Sequence, residues 1–320
     1  MTSAQDSSAA RSGLWLILQT GVALCFIGHG AFGLITKQAW VPYFGVAGIS
    51  EAWAWKLMPW IGAMDVAVGF LAFIWPCRAL FVWAALWTVW TALLRPLAGQ
   101  GWPEFFERAG NYGVPISILV LIGVRGGWFA RLPEQWLART FHTFDELTAR
   151  LASRSGYGPV ADSERTATRT SPLHEIFGLR LTESVHSRLA WTLRLTTAIL
   201  LTGHAACALM LHKAGLAHHY DVFGVVETTA VMLGVGWFEL LLALAVLMIR
   251  APGVLIFACL WKLATECLFL TSGAVAPMFE VIERGGSYVA PLALAYLLTR
   301  RKSPARIAST PLPNNQLSHA

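Results

Sequence analysis

The sequence predicts an all-α, polytopic membrane protein with eight transmembrane helices, arranged as two tandem four-helix bundles. Hydrophobic residues make up 56% of the 320-residue chain and charged residues only 13%, whereas a soluble domain has about 25% charged residues. Apolar segments able to cross about 30 Å of hydrocarbon recur along the chain. The 15 Trp residues also fit this class, because Trp gathers at membrane interfaces.

The predicted spans form two groups of four. They cover residues 14–36, 57–76, 79–95 and 105–124, followed by 189–211, 229–249, 253–271 and 280–299. No small-x-small cleavage site follows a short apolar core near the amino terminus, so we interpret the first span as a retained membrane helix. Residues 125–188 are polar and rich in Ser, Arg and Thr, which indicates a linker between the groups.

The predicted organisation places two repeats between polar segments. The segments are an N-terminal tail at 1–13, the first repeat at 14–130, a connecting region at 131–188, the second repeat at 189–300 and a C-terminal tail at 301–320. From Trp128 to Leu151 apolar residues recur every three to five positions with Arg between them. This spacing predicts an amphipathic helix, lying either on the inner leaflet or as a cap against the bundle.

The two groups of spans are related in sequence. GHGAFGL at 28–34 matches GHAACAL at 203–209, and ERAGNYGVP at 107–115 matches ERGGSYVAP at 283–291. Asp65 aligns with Glu239, and the spacing between matched residues stays nearly constant. The chain is therefore interpreted as a duplicated four-span unit. An even number of spans gives both copies the same orientation, with a pseudo-twofold axis along the membrane normal.

The distribution of basic residues predicts one topology. With the amino terminus inside, most of the 24 Lys and Arg residues fall on the cytoplasmic side, many of them in residues 125–188. This bias follows the positive-inside rule. Both termini are therefore expected in the cytoplasm. The net charge of +6 reflects topology, so the expected partner is the lipid bilayer and not nucleic acid.

Histidines and carboxylates inside the spans are the first candidate functional residues. Helix geometry places His29 about 10 Å and Asp65 about 12 Å below the outer surface, on adjacent antiparallel helices. His204 and Glu239 repeat this arrangement. Each pair can be structural, with the carboxylate fixing the imidazole tautomer and joining two helices. Alternatively, each pair can form a polar site for a quinone headgroup, a proton relay or another small ligand.

A second group of candidates lies at the start of each fourth span. These residues are Glu107, Arg108 and Tyr112 in the first half, and Glu283, Arg284 and Tyr288 in the second. Pro115 and Pro291 predict a kink one turn earlier that aims nearby side chains inwards. Adjacent Glu and Arg point about 100° apart on a helix, so we expect them to reach different neighbours, such as His, Asp or Glu of the first two spans. The alternative is an interfacial anchor with a snorkelling Arg.

The halves differ in their third spans. Span seven carries Lys262 and Glu266 on one helical face, where span three has Thr88 and Ala92. This richer charged cluster favours the second half as the specialised ligand site. The alternative is a self-neutralising salt bridge with no function.

The sequence gives little support for metal or haem binding. The five cysteines contain no CxxC pair, so neither a zinc site nor a disulfide framework is expected. Each half offers one buried histidine, His29 or His204, whereas bis-histidine haem ligation needs two that face each other. Haem is therefore not expected, and a quinone is the cofactor to consider.

The glycine-flanked residue in the first span, the acidic residue in the second span and the E-R-x-G-x-Y sequence near the last span resemble the DoxX-like membrane family. The motifs GHGAFGL and ERAGNYGVP carry this resemblance, which covers each half. Members of the family are bacterial inner-membrane proteins associated with quinone-linked sulfur oxidation, terminal oxidases or oxidative-stress complexes. The resemblance implies a bacterial inner (cytoplasmic) membrane location and other membrane redox subunits as partners. The tandem form with a long linker differs from the family pattern.

Three functions are compatible with these features. The leading hypothesis is a redox-associated subunit that binds a quinone or another lipophilic ligand near the outer leaflet. The second is a proton-coupled transporter or permease that uses Asp65, Glu239 and Lys262. The third is a non-catalytic scaffold or assembly factor in which the polar groups only join helices. Whether the chain is itself an enzyme stays open.

The predicted topology can be tested with compartment reporters. Fusions at Ala98 and at Ser163 should report opposite sides of the membrane, because an odd number of spans separates these positions in the proposed arrangement. Reports from the same compartment would contradict the model of two repeats inserted in the same orientation.

Overall fold

The computed structural model describes residues 2–123, 125–132, 183–213, 220, 224–225, 228–272 and 276–299. Within these ranges the chain is helical or lies in turns, and none of these residues is in a strand. The all-α fold class is therefore confirmed. The predicted amphipathic helix lies almost entirely outside the described residues, as do most of the linker and the C-terminal tail.

The helices follow the predicted spans in order. The first half contains α1 (Thr2–Leu34), a 3₁₀ turn (Gln38–Trp40), α2 (Val41–Val46), α3 (Glu51–Ile74), α4 (Arg78–Leu97), α5 (Trp102–Glu107) and α6 (Ala109–Ile122). The second half contains α7 (Glu183–Leu209), α8 (Thr228–Met248), α9 (Pro252–Cys267), a 3₁₀ helix (Leu268–Ser272), α10 (Ala276–Glu283) and α11 (Gly285–Thr299).

Among the described residues, six helical segments are long and apolar enough to cross a membrane. They are Gly13–Leu34, Glu51–Ile74, Arg78–Leu97, Glu183–Leu209, Thr228–Met248 and Pro252–Leu270. The chain is thus a multi-pass membrane protein by length and composition. Eight spans are not confirmed, because the predicted fourth and eighth spans are each divided into two short helices, α5 with α6 and α10 with α11.

The six segments differ in how far they are buried. α1 and α7 lie mostly inside the protein, whereas α3, α4, α8 and α9 bury only about a third of their most apolar stretch. Large apolar side chains on these outer helices are exposed, including Trp60, Phe70, Leu86 and Leu241. Since lipid tails are as apolar as these side chains, an exposed apolar surface is stable in a bilayer. α1 and α7 are therefore the central helices, and the exposed apolar faces of the other four are suited to contact lipid.

The two halves are interleaved. α1 packs against α3 of its own half and also against α10 and α11 of the second half, while α7 packs against α8 and also against α5 and α6. The prediction of two separate four-helix units is therefore not confirmed. Each central helix forms part of the packing of both halves.

Glycines allow the backbones of the two halves to approach closely. A Cβ on Gly28 would lie 2.2 Å from the amide nitrogen of Glu283, and a Cβ on Gly203 would lie at the same distance from that of Glu107. At the centre, a Cβ on Gly110 would lie 2.5 Å from the carbonyl carbon of Gly286. Side chains at these positions would push the halves apart, which explains the small residues in both sequence motifs.

Substitution of Gly110 tests this packing. Gly110→Ala should lower the free energy of unfolding in mild detergent by about 1–3 kcal/mol, because the added methyl group meets backbone that cannot move aside. Gly234→Ala is the matched control, since nothing lies within 4 Å of a Cβ at Gly234. The control should be neutral or stabilising by up to about 1 kcal/mol. Equal effects of the two variants in thermal unfolding would contradict the close contact.

Candidate functional site

Two helix breaks define the centre of the structure. α5 ends at Glu107 and α6 begins at Ala109, while α10 ends at Glu283 and α11 begins at Gly285. Pro115 and Pro291 lie inside α6 and α11, as the sequence indicated, but each break lies about two turns before its proline and not one. The breaks occur at Arg108 and Arg284, where helix ends free backbone carbonyl groups.

The tyrosines of the two motifs stabilise these breaks. The Tyr288 hydroxyl donates to the Val281 carbonyl at 2.8 Å, and the Tyr112 hydroxyl reaches the Phe105 carbonyl at 3.5 Å. Both carbonyls belong to the last turn of the short helix that precedes a break. These hydrogen bonds explain why a Tyr follows the Glu-Arg pair at a fixed spacing, since a carbonyl group without a partner is costly in a membrane protein.

Each Glu-Arg pair is bound by its counterpart in the other half. Arg108 Nη1 donates to Glu283 Oε1 at 2.7 Å, and Arg284 pairs with Glu107 in the reciprocal contact. All four side chains are buried. As expected, neither Arg pairs with the adjacent Glu. We expected these Glu and Arg residues to pair with His, Asp or Glu of the first two spans, and that prediction was wrong. Contacts between α6 and α11 bring the two motifs together instead.

Two more cross-half pairs surround this centre. Lys37 at the end of α1 pairs with Glu280, and Lys213 after α7 pairs with Glu104. Glu104 also accepts from Arg95 at 3.3 Å. Sequence reasoning missed these residues. The signal was present, because EFFER at 104–108 and EVIER at 280–284 share the pattern E-x-x-E-R.

The predicted imidazole–carboxylate pairs are present in both halves. His29 Nδ1 lies 2.7 Å from Asp65 Oδ2, and His204 Nδ1 bonds Glu239 in the same way. An ionised carboxylate can only accept a hydrogen bond, so each Nδ1 carries the hydrogen and Nε2 is left for another partner. The side chain of His29 is 18% exposed and that of His204 is 9% exposed. The first-half imidazole is therefore the more accessible one.

In the second half, Lys262 and Glu266 complete a closed charged cluster. Lys262 Nζ lies 3.1 Å from Glu266 Oε1 and 3.7 Å from Glu239 Oε1, while Glu266 also lies 3.2 Å from Arg284. Both side chains are fully buried. Trp261 Nε1 donates to Glu239 at 3.0 Å. The charges of this cluster therefore compensate one another.

The first half has a cavity next to its imidazole–carboxylate pair. Its volume is about 190 Å³. The walls are mainly apolar and include six aromatic residues, and seven polar or charged side chains also line them. The aromatic residues are Phe26, Trp40, Tyr43, Phe44, Trp87 and Trp90, and the polar ones are His29, Thr88, Thr91, Arg95, Arg108, Asn111 and Glu283. An aromatic cavity with a few convergent polar groups is typical of a small-molecule site.

Three buried polar atoms in or beside this cavity lack a hydrogen-bond partner among the described residues. They are Trp87 Nε1 and Arg108 Nε, from residues that line the cavity, and Asp65 Oδ1 directly behind His29. In the second half, Trp261 Nε1 donates to Glu239, and these two residues are the counterparts of Trp87 and Asp65, while Arg284 Nε also lacks a hydrogen-bond partner in the described part of that half. Asp65 is one methylene shorter than Glu, so its carboxylate does not contact Trp87 in this way. Unsatisfied buried groups of this kind cost about 1–3 kcal/mol each, and a bound ligand can satisfy them.

A wider cleft of about 700 Å³ adjoins the cavity. Trp40, Tyr43, Arg95 and Arg108 line both spaces, so the cleft lies directly beside the cavity. Both spaces border the segment from Gln38 to Val46. The cleft is strongly charged, whereas the cavity is mainly apolar.

One group of side chains has the spacing of metal ligands. Ligand atoms of Glu104, Glu107 and Cys207 all lie within 4.8 Å of one another. The carboxylates are already paired with Lys213, Arg95 and Arg284. Because three cations already surround them, we do not assign a metal site here.

A double-mutant cycle tests the cross-half charge pair. Arg108→Gln or Glu283→Gln alone leaves a buried charge without its partner, so each should lower the free energy of unfolding by about 3–5 kcal/mol. The double variant should cost less than the sum of the two single variants, because neither charge remains. Unfolding in mild detergent measures all three. Lys56→Gln, at an exposed position, should stay within about 0.5 kcal/mol. Strict additivity of the two single effects would contradict the pairing.

Comparisons with protein families, curated proteins and solved structures gave no significant match. The geometry of the cavity and of the charged centre therefore carries the functional argument.

Proposed function

We propose that this chain is a redox-associated integral membrane protein whose first half binds the headgroup of a quinone or of a similar planar, lipophilic molecule. The observation that carries the proposal is the aromatic cavity beside His29, with its unsatisfied polar atoms. A quinone headgroup is planar and apolar on its faces, and its oxygens lie at its edge. Such a molecule needs aromatic walls and a few polar groups in fixed positions.

The imidazole of His29 suits either redox state of this ligand. Its ring stacks on Trp40 at a centroid distance of 4.4 Å, and its Nδ1 is hydrogen-bonded to Asp65. Nε2 is therefore the ring nitrogen available to the cavity. A neutral imidazole accepts a hydrogen bond from a quinol hydroxyl at Nε2, whereas an imidazolium donates one to a quinone carbonyl.

The proposed site lies in the first half, although the sequence favoured the second. The charged cluster of Lys262, Glu266 and Glu239 is closed and self-compensating. Its members are fully buried and paired with one another by charge. In contrast, Thr88 and Ala92 at the matched positions line the cavity. A cavity that small side chains leave open favours ligand binding more strongly than a buried, charge-paired cluster does.

The proposed architecture is a tandem DoxX-like protein with eight spans. It is supported by the reciprocal contacts that sequence-matched residues of the two halves make. Arg194 and Gln19 are a further matched pair, since each bonds a carbonyl near the end of the following long helix, Val246 or Ala72. The broken helix pairs α5–α6 and α10–α11 each have enough residues to act as a span. A bacterial inner membrane with both termini cytoplasmic, an outer-leaflet site and redox subunits as partners belong to the same proposal.

The structure favours the transporter hypothesis less than quinone binding. A carrier of protons needs groups that can change partners. Lys262 and Glu239 are buried in mutual pairs, and Asp65 is fully buried behind His29. These contacts support a binding site with a fixed arrangement more than a site that opens alternately to the two sides of the membrane.

Quinone binding can be measured directly with purified protein in mild detergent. Decylubiquinone should bind the wild type, and His29→Ala should weaken its affinity about tenfold through loss of a ligand hydrogen bond. His204→Ala is the matched control, because it removes the corresponding imidazole outside the cavity. It should leave the affinity nearly unchanged. Absence of binding to the folded wild type, or equal losses in the two variants, would contradict the proposal.

A further inference from the structure

The third spans of the two halves differ at the positions that border the cavity. Thr88 and Ala92 line it in the first half. The matched residues of the second half are Lys262 and Glu266, which are both larger and are fully buried. Lys262 and Glu266 therefore occupy the positions that border the cavity in the first half.

The contacts of Lys262 and Glu266 are those that a ligand can make in the first half. Lys262 supplies a cation to Glu239, whose first-half counterpart Asp65 has an oxygen without a partner in the described chain. Glu266 supplies a carboxylate to Arg284, whose counterpart Arg108 lines the cavity. The two side chains thus place opposite charges beside Glu239 and Arg284, whereas Thr88 and Ala92 place none beside Asp65 and Arg108.

Other parts of both sites correspond. His204 and Trp261 match His29 and Trp87, and both histidines are held by a carboxylate through Nδ1. Thr91 and Thr265 also match, as do Arg108 and Arg284. Val222 and Phe223, the counterparts of Tyr43 and Phe44, lie outside the described residues. These positions are therefore shared by the two halves, whereas Phe26, Trp90 and Arg95 of the cavity wall are matched by Leu201, Ala264 and Phe269.

We infer that the second half contains a closed copy of the ligand site, in which the Lys262 and Glu266 side chains take the place that a quinone-like ligand takes in the first half. This inference rests on the proposed function. It means that the wild-type chain binds one ligand and that Lys262 and Glu266 determine which half is available. The ligand class is the same for both sites, a planar molecule with polar oxygens at its edge.

The test exchanges the two side chains between the halves. Lys262→Thr/Glu266→Ala gives the second half the residues of the first, and it should raise decylubiquinone binding from one to two molecules per chain. Thr88→Lys/Ala92→Glu makes the reverse exchange and should abolish binding to an otherwise wild-type chain. Lys262→Met/Glu266→Gln is the control, because it removes the charges while keeping most of the volume. It should still bind one molecule per chain.

Each outcome bears on the inference. A folded Lys262→Thr/Glu266→Ala variant that binds only one molecule overturns it and leaves the first-half site intact. Absence of binding to the wild type overturns the proposed function instead. If the double variant does not fold, the reverse exchange decides. Loss of binding in a folded Thr88→Lys/Ala92→Glu variant supports the inference, and retained binding of one molecule overturns it.

Discussion

Arg108 and Arg284 lie buried at helix breaks, and each is paired with the Glu of the opposite half's Glu-Arg motif. An isolated charge within a membrane protein is costly, so these residues need partners wherever the chain folds. The two reciprocal pairs tie the fourth helical segment of each half to its counterpart. The rest of the architecture depends on this exchange, because the adjacent Glu and Arg of one motif do not pair with each other.

Close packing makes the exchange possible. Gly28, Gly203, Gly110 and Gly286 let backbones meet at distances that a Cβ would prevent. α1 and α7 are consequently surrounded by protein, while the other long helices expose Trp, Phe and Leu to the surroundings. Small residues at the centre and large apolar residues at the periphery are the arrangement that packing within lipid favours. The charged pairs then lie where lipid does not reach them.

The two halves keep the same framework but fill it differently. Each has a histidine held by a carboxylate, an Arg that is paired across the centre and a Tyr that stabilises a break. In the second half, Lys262 and Glu266 extend the charged network. In the first half, smaller residues leave a cavity, and Asp65 is too short to reach Trp87 as Glu239 reaches Trp261. Small changes in side-chain length thus separate an open cavity from a filled, charged cluster.

The sequence by itself determined the helical class, the positions of six membrane-spanning segments and the pairing of His29 with Asp65 and of His204 with Glu239. These features depend on local hydropathy and on residue depth along a helix, both of which can be read from spacing. The tertiary structure alone decided that the halves interleave, that Arg108 and Arg284 exchange carboxylates, and that the cavity lies in the first half. Sequence spacing does not specify which face of a helix meets which neighbour. Partner choice and empty volume depend on how backbones from distant parts of the chain approach one another.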